Sequence, residues 1–215
     1  MEQALREPPG LLAAGGDLSP ARLLAAYERG VFPWYSAQQP ILWWSPDPRM
    51  VLFPGEFRCS RSLSKTLRNR SFTTRIDHAF SATIRGCARP RRSGPDTWLN
   101  AEMIDSYEQL HQLGYGHCVE TYRDERLVGG LYGIQLGQIF FGESMFSLER
   151  DASKVALARL VEECRARDIK VIDCQVASKH LASLGARDVS RSQFVALLRQ
   201  HAKRAPRGSW LPQPQ

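Results

Sequence analysis

Four prolines and five aromatic residues share one short segment of this chain, and they restrict its backbone more than any other feature. The prolines lie at positions 33, 40, 46 and 48, and the aromatic residues lie between positions 32 and 44. Proline lacks a backbone N–H group and fixes its own φ angle, so it interrupts helices and the hydrogen-bonded centre of a sheet. The segment is therefore predicted to contain neither a long helix nor a central strand, and to form a stiff wall of rings.

This aromatic wall, defined as Phe32, Trp34, Tyr35, Trp43 and Trp44, has two interpretations. A rigid row of rings in a basic protein suits the stacking of a flat ligand ring, and a nucleobase is the flat ring most available to such a protein. The alternative is a proline-braced aromatic mini-core, because large aromatic side chains dominate ordinary cores. The segment alone leaves both interpretations open.

The positive charge of the chain is concentrated in residues 58–92. This basic stretch holds ten Lys or Arg residues and one acidic residue, so its charge of 10 − 1 = +9 exceeds the +7 of the whole chain. Ordinary surfaces mix the two signs, so a solvated helix face explains the pattern poorly. Arginine dominates, and a guanidinium group can hold a phosphate through two parallel hydrogen bonds. The stretch is predicted to contact a polyanion.

Composition excludes several classes of protein. The 215 residues, 43% of them hydrophobic, suit one large domain or a small domain resting on a larger one. No apolar run approaches the roughly 18–20 residues that span a bilayer, and the first residues lack the apolar core of a secretory signal. The five cysteines are odd in number and form no CxxC pair. They are predicted to be free, buried thiols of a cytoplasmic protein, with no metal site and no membrane partner.

The order of predicted elements indicates an α+β protein. A helix over residues 20–29 and the aromatic wall form a small N-terminal domain, residues 1–55. In residues 56–215, three strands joined by hairpin connections are followed by a helix over residues 152–167, a strand over residues 170–176 and a capped final helix. This order matches the acyltransferase fold called GNAT, with a mostly antiparallel mixed sheet.

Polar side chains interrupt two apolar strand segments. Side chains alternate between the faces of a strand, so Asp173 and Gln175 are predicted to share one face, about 6–7 Å apart, and to address one small reacting group. Glu143 follows Gly142 at the predicted end of another strand, amid apolar residues. Buried polar groups need partners, so catalysis and a structural ion pair both remain open at these positions.

Seven stretches of the sequence together resemble the leucyl/phenylalanyl-tRNA–protein transferase family. The most specific are GGDLSP, GVFPW, WWSPDPR, GESMFS and IDCQ, and PDTWLN and ERLVGGLYG add to them. The likeness extends from about residue 5 to residue 210. It implies a small N-terminal domain joined to a GNAT-like transferase domain.

The resemblance implies an activity and its partners. Such an enzyme transfers leucine or phenylalanine, and in some cases methionine, from aminoacyl-tRNA to a protein with N-terminal Arg or Lys. The product carries a destabilising N-terminus that directs it to proteolysis in the bacterial cytosol. The tRNA ester is already activated, so no ATP, metal or other cofactor is expected, and the enzyme aligns the amine with the ester and moves a proton. A monomer is the default expectation.

The resemblance also assigns substrate contacts to individual residues. Trp34 and Trp98 match the residues that hold the terminal adenosine, and the positions near that site are Tyr27 and Tyr107. The pocket for the transferred side chain includes Phe140 and Ile172, beside Gly142. The basic stretch matches the region that meets the acceptor stem, through Arg61, Lys65, Arg68 and Arg70.

Two positions depart from the family pattern. Leu160 stands where an aromatic residue is expected, and Leu131 stands where methionine is expected. Both positions touch the implied pocket. The preference between leucine and phenylalanine is therefore left open.

Three polar residues match active-site positions of the family. Asp173 and Gln175 match the pair assigned to catalysis, and Glu143 matches an active-site carboxylate. A glutamine amide is a very weak base, so Gln175 is interpreted as an acceptor that orients the attacking amine, and Asp173 as the proton acceptor. Which of these two takes the proton stays open. Glu143 is interpreted as a carboxylate that recognises positive charge on the acceptor.

Two other functions compete with aminoacyl transfer. A CoA-dependent GNAT acetyltransferase needs a glycine-rich turn that binds pyrophosphate before the helix after the three strands. Residues 148–154 contain no glycine and two acids, which disfavours that function. A non-enzymatic RNA-binding module would explain the basic stretch and the tryptophans. It would not explain why Glu143, Asp173 and Gln175 converge.

Overall fold

The computed structural model describes residues 4–5, 7–36, 38–69, 72–90 and 99–210. Their strands are β1 (Leu11–Ala14), β2 (Phe32–Pro33), β3 (Leu42–Trp44), β4 (Arg49–Leu52), β5 (Thr73–Ile76), β6 (Gly116–Arg123), β7 (Arg126–Leu136), β8 (Ile139–Ser147), β9 (Val171–Gln175) and β10 (Arg187–Val189). Their α-helices are α1 (Pro20–Tyr27), α2 (Arg61–Arg68), α3 (Phe80–Cys87), α4 (Ala101–Gln112), α5 (Ala152–Ala166), α6 (Lys179–Ser183) and α7 (Arg191–His201).

A small sheet near the N-terminus has the strand order β1-β3-β2, and both pairs are antiparallel. Because β3 is its central strand, the prediction that the prolines exclude a central strand from this segment is wrong. The prolines lie around β3 instead of inside it: Pro33 is in the edge strand β2, and Pro40 and Pro46 flank β3. They limit the strand to three residues without preventing it.

The large sheet has the strand order β10-β4-β9-β8-β7-β6-β5. The predicted meander is confirmed, because β6, β7 and β8 pair in antiparallel fashion through short connections. Within the described sheet β8 and β9 are the one parallel pair, which confirms an α+β protein with a mostly antiparallel mixed sheet. The strand β4 comes from the first 55 residues and lies between β10 and β9, so both predicted parts of the chain contribute to this sheet. The division at residue 55 itself stays a prediction.

Helices cover both faces of the large sheet and bury two apolar cores. One core includes Ile84 of α3, Met103 of α4 and Phe194 of α7. The other includes Leu63 of α2 and Leu160 of α5. Each fully buried side chain of this size contributes about 1.5–3 kcal/mol to folding. The second core matters for function because α5 also faces the cavity described below.

Most of the predicted elements are present with small differences in their ends, but β8 continues to Ser147, five residues beyond its predicted end. The final helix begins with a complete capping box formed by Ser190 and Gln193. The short elements β1, α6 and β10 were not predicted, because three to five residues carry too little periodicity to show in a sequence. Four of the five cysteines are buried, but Cys59 is exposed, since it lies at the surface just before α2.

Two classes of feature are missing from the described part of the chain. No helix there is both long enough and apolar enough to cross a bilayer. No three His, Cys, Asp or Glu side chains come together in an arrangement that could hold a metal ion.

Candidate active site

A cavity of about 550 Å³ opens where β8 and β9 separate. The parallel pairing of these strands ends at Phe141 and Asp173, and both strands continue beyond that point without pairing to each other. The two strands, α5, α6 and part of the aromatic wall line the space between them. Concave sites with an apolar lining and a few converging polar groups are the usual binding sites of small molecules.

Glu143 is the extra residue of a β-bulge in β8. Gly133 of β7 pairs with Gly142, and Tyr132 pairs with Ser144, so Glu143 is left without a partner across the sheet. A bulge redirects a side chain, and bulges are frequent beside active sites. Because β8 continues beyond Glu143, this residue lies within the strand and not at its end as predicted.

Two buried tyrosines connect to Glu143. The Tyr107 hydroxyl of α4 donates a hydrogen bond to Glu143 Oε2 at 2.8 Å, and the Tyr27 hydroxyl of α1 lies 2.8 Å from that of Tyr107. Neither tyrosine lines the cavity, and both lie behind the carboxylate. Glu143 Oε1 has no hydrogen-bond partner among the described residues. One oxygen is therefore held in place by Tyr107, while the other is a buried acceptor without a partner among the described residues.

Burial raises the pKa of Glu143 from its ordinary value of 4.5 to about 7. The hydrogen bonds of Tyr27 and Tyr107 act in the opposite direction, the charge of Asp173 raises the pKa, and the charge of Arg49 lowers it. Burial also raises the pKa of both tyrosines well above their usual range, so they remain protonated donors. A carboxyl group that titrates near neutral pH can both accept and return a proton.

Asp173 is fully buried and forms an ion pair with Arg49. Arg49 Nε donates to Asp173 Oδ1 at 2.8 Å, and Nη2 donates to Oδ2 at 2.6 Å. The two side chains are 1% and 0% exposed. The sequence left catalysis and a structural ion pair open at Asp173, and the structure shows the ion pair. A proton placed on this carboxylate would have to disrupt the ion pair, which argues against the predicted role of Asp173 as proton acceptor.

Gln175 turns the chain at the end of β9. Its φ angle is +58°, in the left-handed region that residues with a side chain seldom adopt. Its N–H donates to Asp173 Oδ1 at 3.0 Å, which closes a turn around the aspartate side chain. Met50 pairs with Gln175 and Val51 with Asp173, so Cys174 is an extra residue in β9. The predicted alternation therefore stops at Asp173, and all three consecutive residues line the cavity.

The remainder of the cavity lining is largely apolar. It includes Leu131, Met145, Leu157, Leu160, Ile172 and Leu181. Phe140 was predicted to belong to this pocket, but it is fully buried in the core and does not line the cavity. Its ring occupies the space above Gly133, where an added Cβ would approach the ring to 2.5 Å. Gly142 does line the cavity, as predicted.

The aromatic wall is divided between the core and the cavity. Tyr35 and Trp43 are buried in the first core together with Phe32, as the mini-core interpretation predicts. Trp34 is 45% exposed and lines the cavity, and Trp44 packs against it edge-on at 6.0 Å. Phe32 and Trp34 are therefore the rings of the wall that line the cavity, and Trp34 is the exposed one of the two. Trp98, the other predicted adenosine contact, lies outside the described residues.

Known proteins with similar sequences identify the family. The family described as leucyl/phenylalanyl-tRNA protein transferase matches residues 51–199, and its N-terminal domain matches residues 16–47. The chain belongs to the leucyl/phenylalanyl-tRNA–protein transferase family. A relative of that name from Chromohalobacter salexigens is 56% identical over 94% of this chain and 78% of its own length. One from Aromatoleum aromaticum is 55% identical over 98% and 89%.

Solved structures match at much lower identity. L-PGS from Bacillus licheniformis is 9% identical, with a TM-score of 0.44 over 63% of this chain and 49% of that chain. A GCN5-related N-acetyltransferase from Kribbella flavida is 10% identical, with a TM-score of 0.38 over 76% and 58%. The family assignment rests on the sequence relatives. It makes the protein an aminoacyltransferase whose substrates are an aminoacyl-tRNA and a protein.

The basic stretch of this transferase carries an exposed cationic face on α2. Arg61, Lys65 and Arg68 are exposed and follow one another at spacings of four and three residues, which places them on one side of the helix. None of them forms an ion pair with a described residue. Arg75 and Arg85 of the same stretch instead pair with acidic residues from other elements. Arg70, also predicted to bind tRNA, lies outside the described residues.

Sequence reasoning missed Arg49, the largest fully buried side chain among the described residues. Its positive charge directly precedes the apolar run of residues 50–53, and a charged residue in that position is the signal that could have identified it. A buried charge has to be paired, so an arginine at the start of a core strand predicts a carboxylate nearby.

Proposed function

We propose that this transferase moves leucine or phenylalanine, and also methionine, from aminoacyl-tRNA to the α-amine of proteins that begin with Arg or Lys. The modified proteins are thereby marked for N-degron proteolysis. The observation that carries the proposal is a single cavity that combines the reachable ring of Trp34, an apolar pocket and the carboxylate of Glu143. An aminoacyl-adenosine requires the first two, and an attacking amine requires the third. The enzyme acts in the cytoplasm as a monomer.

The aminoacyl end of the tRNA fits the apolar side of this cavity. The terminal adenine stacks on Trp34. The transferred side chain enters the pocket formed by Leu131, Leu160 and Ile172, which line one continuous space with Trp34. These three residues present apolar side chains, so the pocket accepts leucine, phenylalanine and methionine, whose side chains are apolar as well.

The chemical step requires a proton acceptor beside the amine. The amine nitrogen bonds to the ester carbonyl carbon, and the bond from that carbon to the terminal ribose oxygen breaks. Glu143 takes the proton that the amine loses and returns it to the ribose oxygen, so no proton is consumed. The position of Glu143 in the cavity lining, its unpaired Oε1 and its pKa of about 7 support this role. Gln175 accepts a hydrogen bond from the amine, and Asp173 supports Gln175.

The charges that line the cavity favour a cationic acceptor. Asp173 is neutralised by Arg49, so Glu143 is the carboxylate among the described lining residues that has no cationic partner. A protein that begins with Arg or Lys brings an α-ammonium group and a charged side chain close together. Both are attracted to one ionised carboxylate in a poorly solvated site.

The turn before α5 supports aminoacyl transfer over the CoA-dependent alternative. Ser147 Oγ already accepts the N–H of Ser153, and Asp151 pairs with Lys154 at 2.7 Å. Glu149, which lies in the same turn, forms an ion pair with Arg123 of β6. A pyrophosphate would meet two carboxylates at this position instead of free N–H groups.

A cofactor-free reaction tests the proposed function. The purified protein is mixed with leucyl-tRNA and a peptide that begins with Arg, and transfer of radiolabelled leucine to the peptide is measured. The same peptide with an acetylated α-amine and a Gly-initiated peptide are the controls. Transfer that requires the free amine and favours the Arg-initiated peptide is expected. Modification only with acetyl-CoA, or tRNA binding without transfer, would instead support one of the two alternatives.

Loss of the Trp34 ring is expected to weaken binding of the adenosine end. Trp34→Ala should raise KM for a minimal aminoacyl-adenosine substrate about 5- to 150-fold, because stacking of a base on an aromatic side chain contributes about 1–3 kcal/mol. Trp34→Phe should keep most of the affinity. Steady-state kinetics on the minimal substrate measure both. Equal losses in the two variants, with a lower Tm in each, would show that Trp34 has a structural role.

The cationic face of α2 is expected to set the salt dependence of tRNA binding. Combined Arg61→Glu, Lys65→Glu and Arg68→Glu should weaken binding at least about tenfold at low salt, and should reduce the slope of log Kd against log salt, because fewer counterions are released. A matched control reverses Arg199, Lys203 and Arg204, which are exposed on or just beyond α7. An equal effect in the control would indicate net charge alone, and would place the tRNA contact elsewhere.

A further inference from the structure

Arg49 occupies an unusual position for a cation. Besides its two bonds to Asp173, Arg49 Nη1 donates to the Gly30 carbonyl at 3.1 Å. Its guanidinium group lies between the rings of Phe32 and Phe194, at 4.8 and 4.6 Å from their centroids. Four elements or loops therefore hold this one side chain inside the protein.

Stability alone does not account for such a pair. Removing two charges from water is costly, and replacing a buried ion pair with apolar residues of similar volume is often neutral or stabilising. A buried pair is better explained where its directed hydrogen bonds fix a geometry. Arg49 has that effect here, because its planar guanidinium group donates to both carboxylate oxygens of Asp173 and so fixes their positions.

The fixed carboxylate in turn fixes the backbone at the reacting centre. Asp173 Oδ1 accepts the N–H of Gln175, whose left-handed φ of +58° is unfavourable for a residue with a side chain. Left-handed backbone persists where the surroundings determine it, and it concentrates at functional sites. Arg49 thus determines, through Asp173, where the chain turns and where the Gln175 side chain enters the cavity.

We propose that Arg49 is a positioning residue that acts through Asp173 to hold the Gln175 turn, and so aligns the attacking amine with the ester. Phe32, one of the two rings around Arg49, lines the cavity next to Trp34. The same guanidinium group therefore contacts Phe32 on the adenosine side of the cavity and Asp173 on the amine side. This inference rests on the proposed role of Gln175.

The test compares two arginines in similar surroundings. Arg167 also pairs with a carboxylate, Glu163, lies over the ring of Trp210 at 4.8 Å and donates to the Ser209 carbonyl. It lies outside the cavity lining. Arg49→Lys and Arg167→Lys each keep a positive charge but lose the planar fork. For both variants we would measure Tm, the KM and kcat of transfer, and the hydrogen exchange of the backbone amide of Gln175.

Arg49→Lys is expected to lower kcat at least tenfold, to leave KM for aminoacyl-tRNA within threefold, and to speed exchange of the Gln175 amide at least tenfold. Arg167→Lys is expected to change none of these more than twofold, although its Tm falls. Unchanged Gln175 exchange and kcat in Arg49→Lys would overturn the proposal, as would equal losses of kcat in both variants.

A second variant keeps the test decisive if Arg49→Lys does not fold. The double variant Arg49→Met with Asp173→Leu removes both charges together and is expected to fold, with fast exchange at Gln175 and low kcat. Protected exchange and normal kcat in this variant would overturn the proposal. If the wild-type protein transfers nothing to an Arg-initiated peptide, the proposed function fails, and the exchange measurement still decides whether Arg49 holds the Gln175 turn.

Discussion

Glu143→Gln is expected to lower kcat by about 10²–10⁴-fold, the range typical for loss of a general base. Glutamine keeps the shape of the side chain and can still accept the hydrogen bond from Tyr107, but it cannot take a proton. KM for aminoacyl-tRNA should change little, because Trp34 and the apolar pocket are untouched. Steady-state transfer to an Arg-initiated peptide measures both constants.

The pH profile identifies the group that titrates. In the wild-type enzyme, Glu143 must lose its proton with a pKa of about 7, and the acceptor α-amine must lose its own near its reference value of about 7.7–8.0. Below pH 7 the rate should therefore rise by more than tenfold per pH unit. In Glu143→Gln only the titration of the acceptor amine remains, so a plot of log rate against pH should have a slope of one. A second limb that persists in this variant would show that another group is the proton acceptor.

The free energy of unfolding provides a control for Glu143→Gln. It should rise in this variant, whereas kcat should fall. The pKa of Glu143 is raised from 4.5 to about 7 in the folded protein, so the native state binds the extra proton between these values. Its favourable contribution is complete below pH 4.5 and is lost as the pH rises through 7. Glu143→Gln should therefore raise the free energy of unfolding at pH 8 by about 2 kcal/mol, after allowance for partial exposure. A variant that is inactive and also less stable at pH 8 would contradict this account.

The fold was predictable where the signal is local. The meander over β6, β7 and β8, the helix α5 and the capping box at Ser190 follow from alternation, helical periodicity and capping chemistry. Non-local pairing was not predictable in the same way. The position of β4 between β9 and β10 depends on partners more than a hundred residues away, and no pattern within residues 49–52 encodes them.

The candidate site shows the same division. Residue types and the family resemblance pointed to Glu143, Asp173 and Gln175, and the structure brings all three to one cavity. Their individual surroundings depend on two β-bulges, at Glu143 and at Cys174, that shift register by one residue. A one-residue shift is invisible to an argument from alternation. The ion pair of Asp173 with Arg49 is likewise a contact across the fold, and it transfers the proposed proton role to Glu143.

In the proposed function the depth of the apolar pocket selects the transferred amino acid, and Leu160 is the position at which to test this. Leu160→Ala removes most of a side chain that lines the cavity, so the larger phenylalanine side chain should gain relative to leucine. A difference of one or a few methylene groups in an apolar pocket changes the ratio of kcat/KM by about 10–200-fold. Competition between phenylalanyl-tRNA and leucyl-tRNA for one Arg-initiated peptide measures this ratio.

Leu63→Ala is the matched control, because Leu63 is equally buried in the same core but does not line the cavity. Both substitutions should lower the free energy of unfolding by about 2–5 kcal/mol, the cost of truncating a buried leucine. Only Leu160→Ala should change the ratio of phenylalanine to leucine transfer. A ratio that moves equally in both variants would mean that loosening the core, and not the shape of the pocket, selects the amino acid. A ratio that moves in neither would place the side-chain pocket elsewhere.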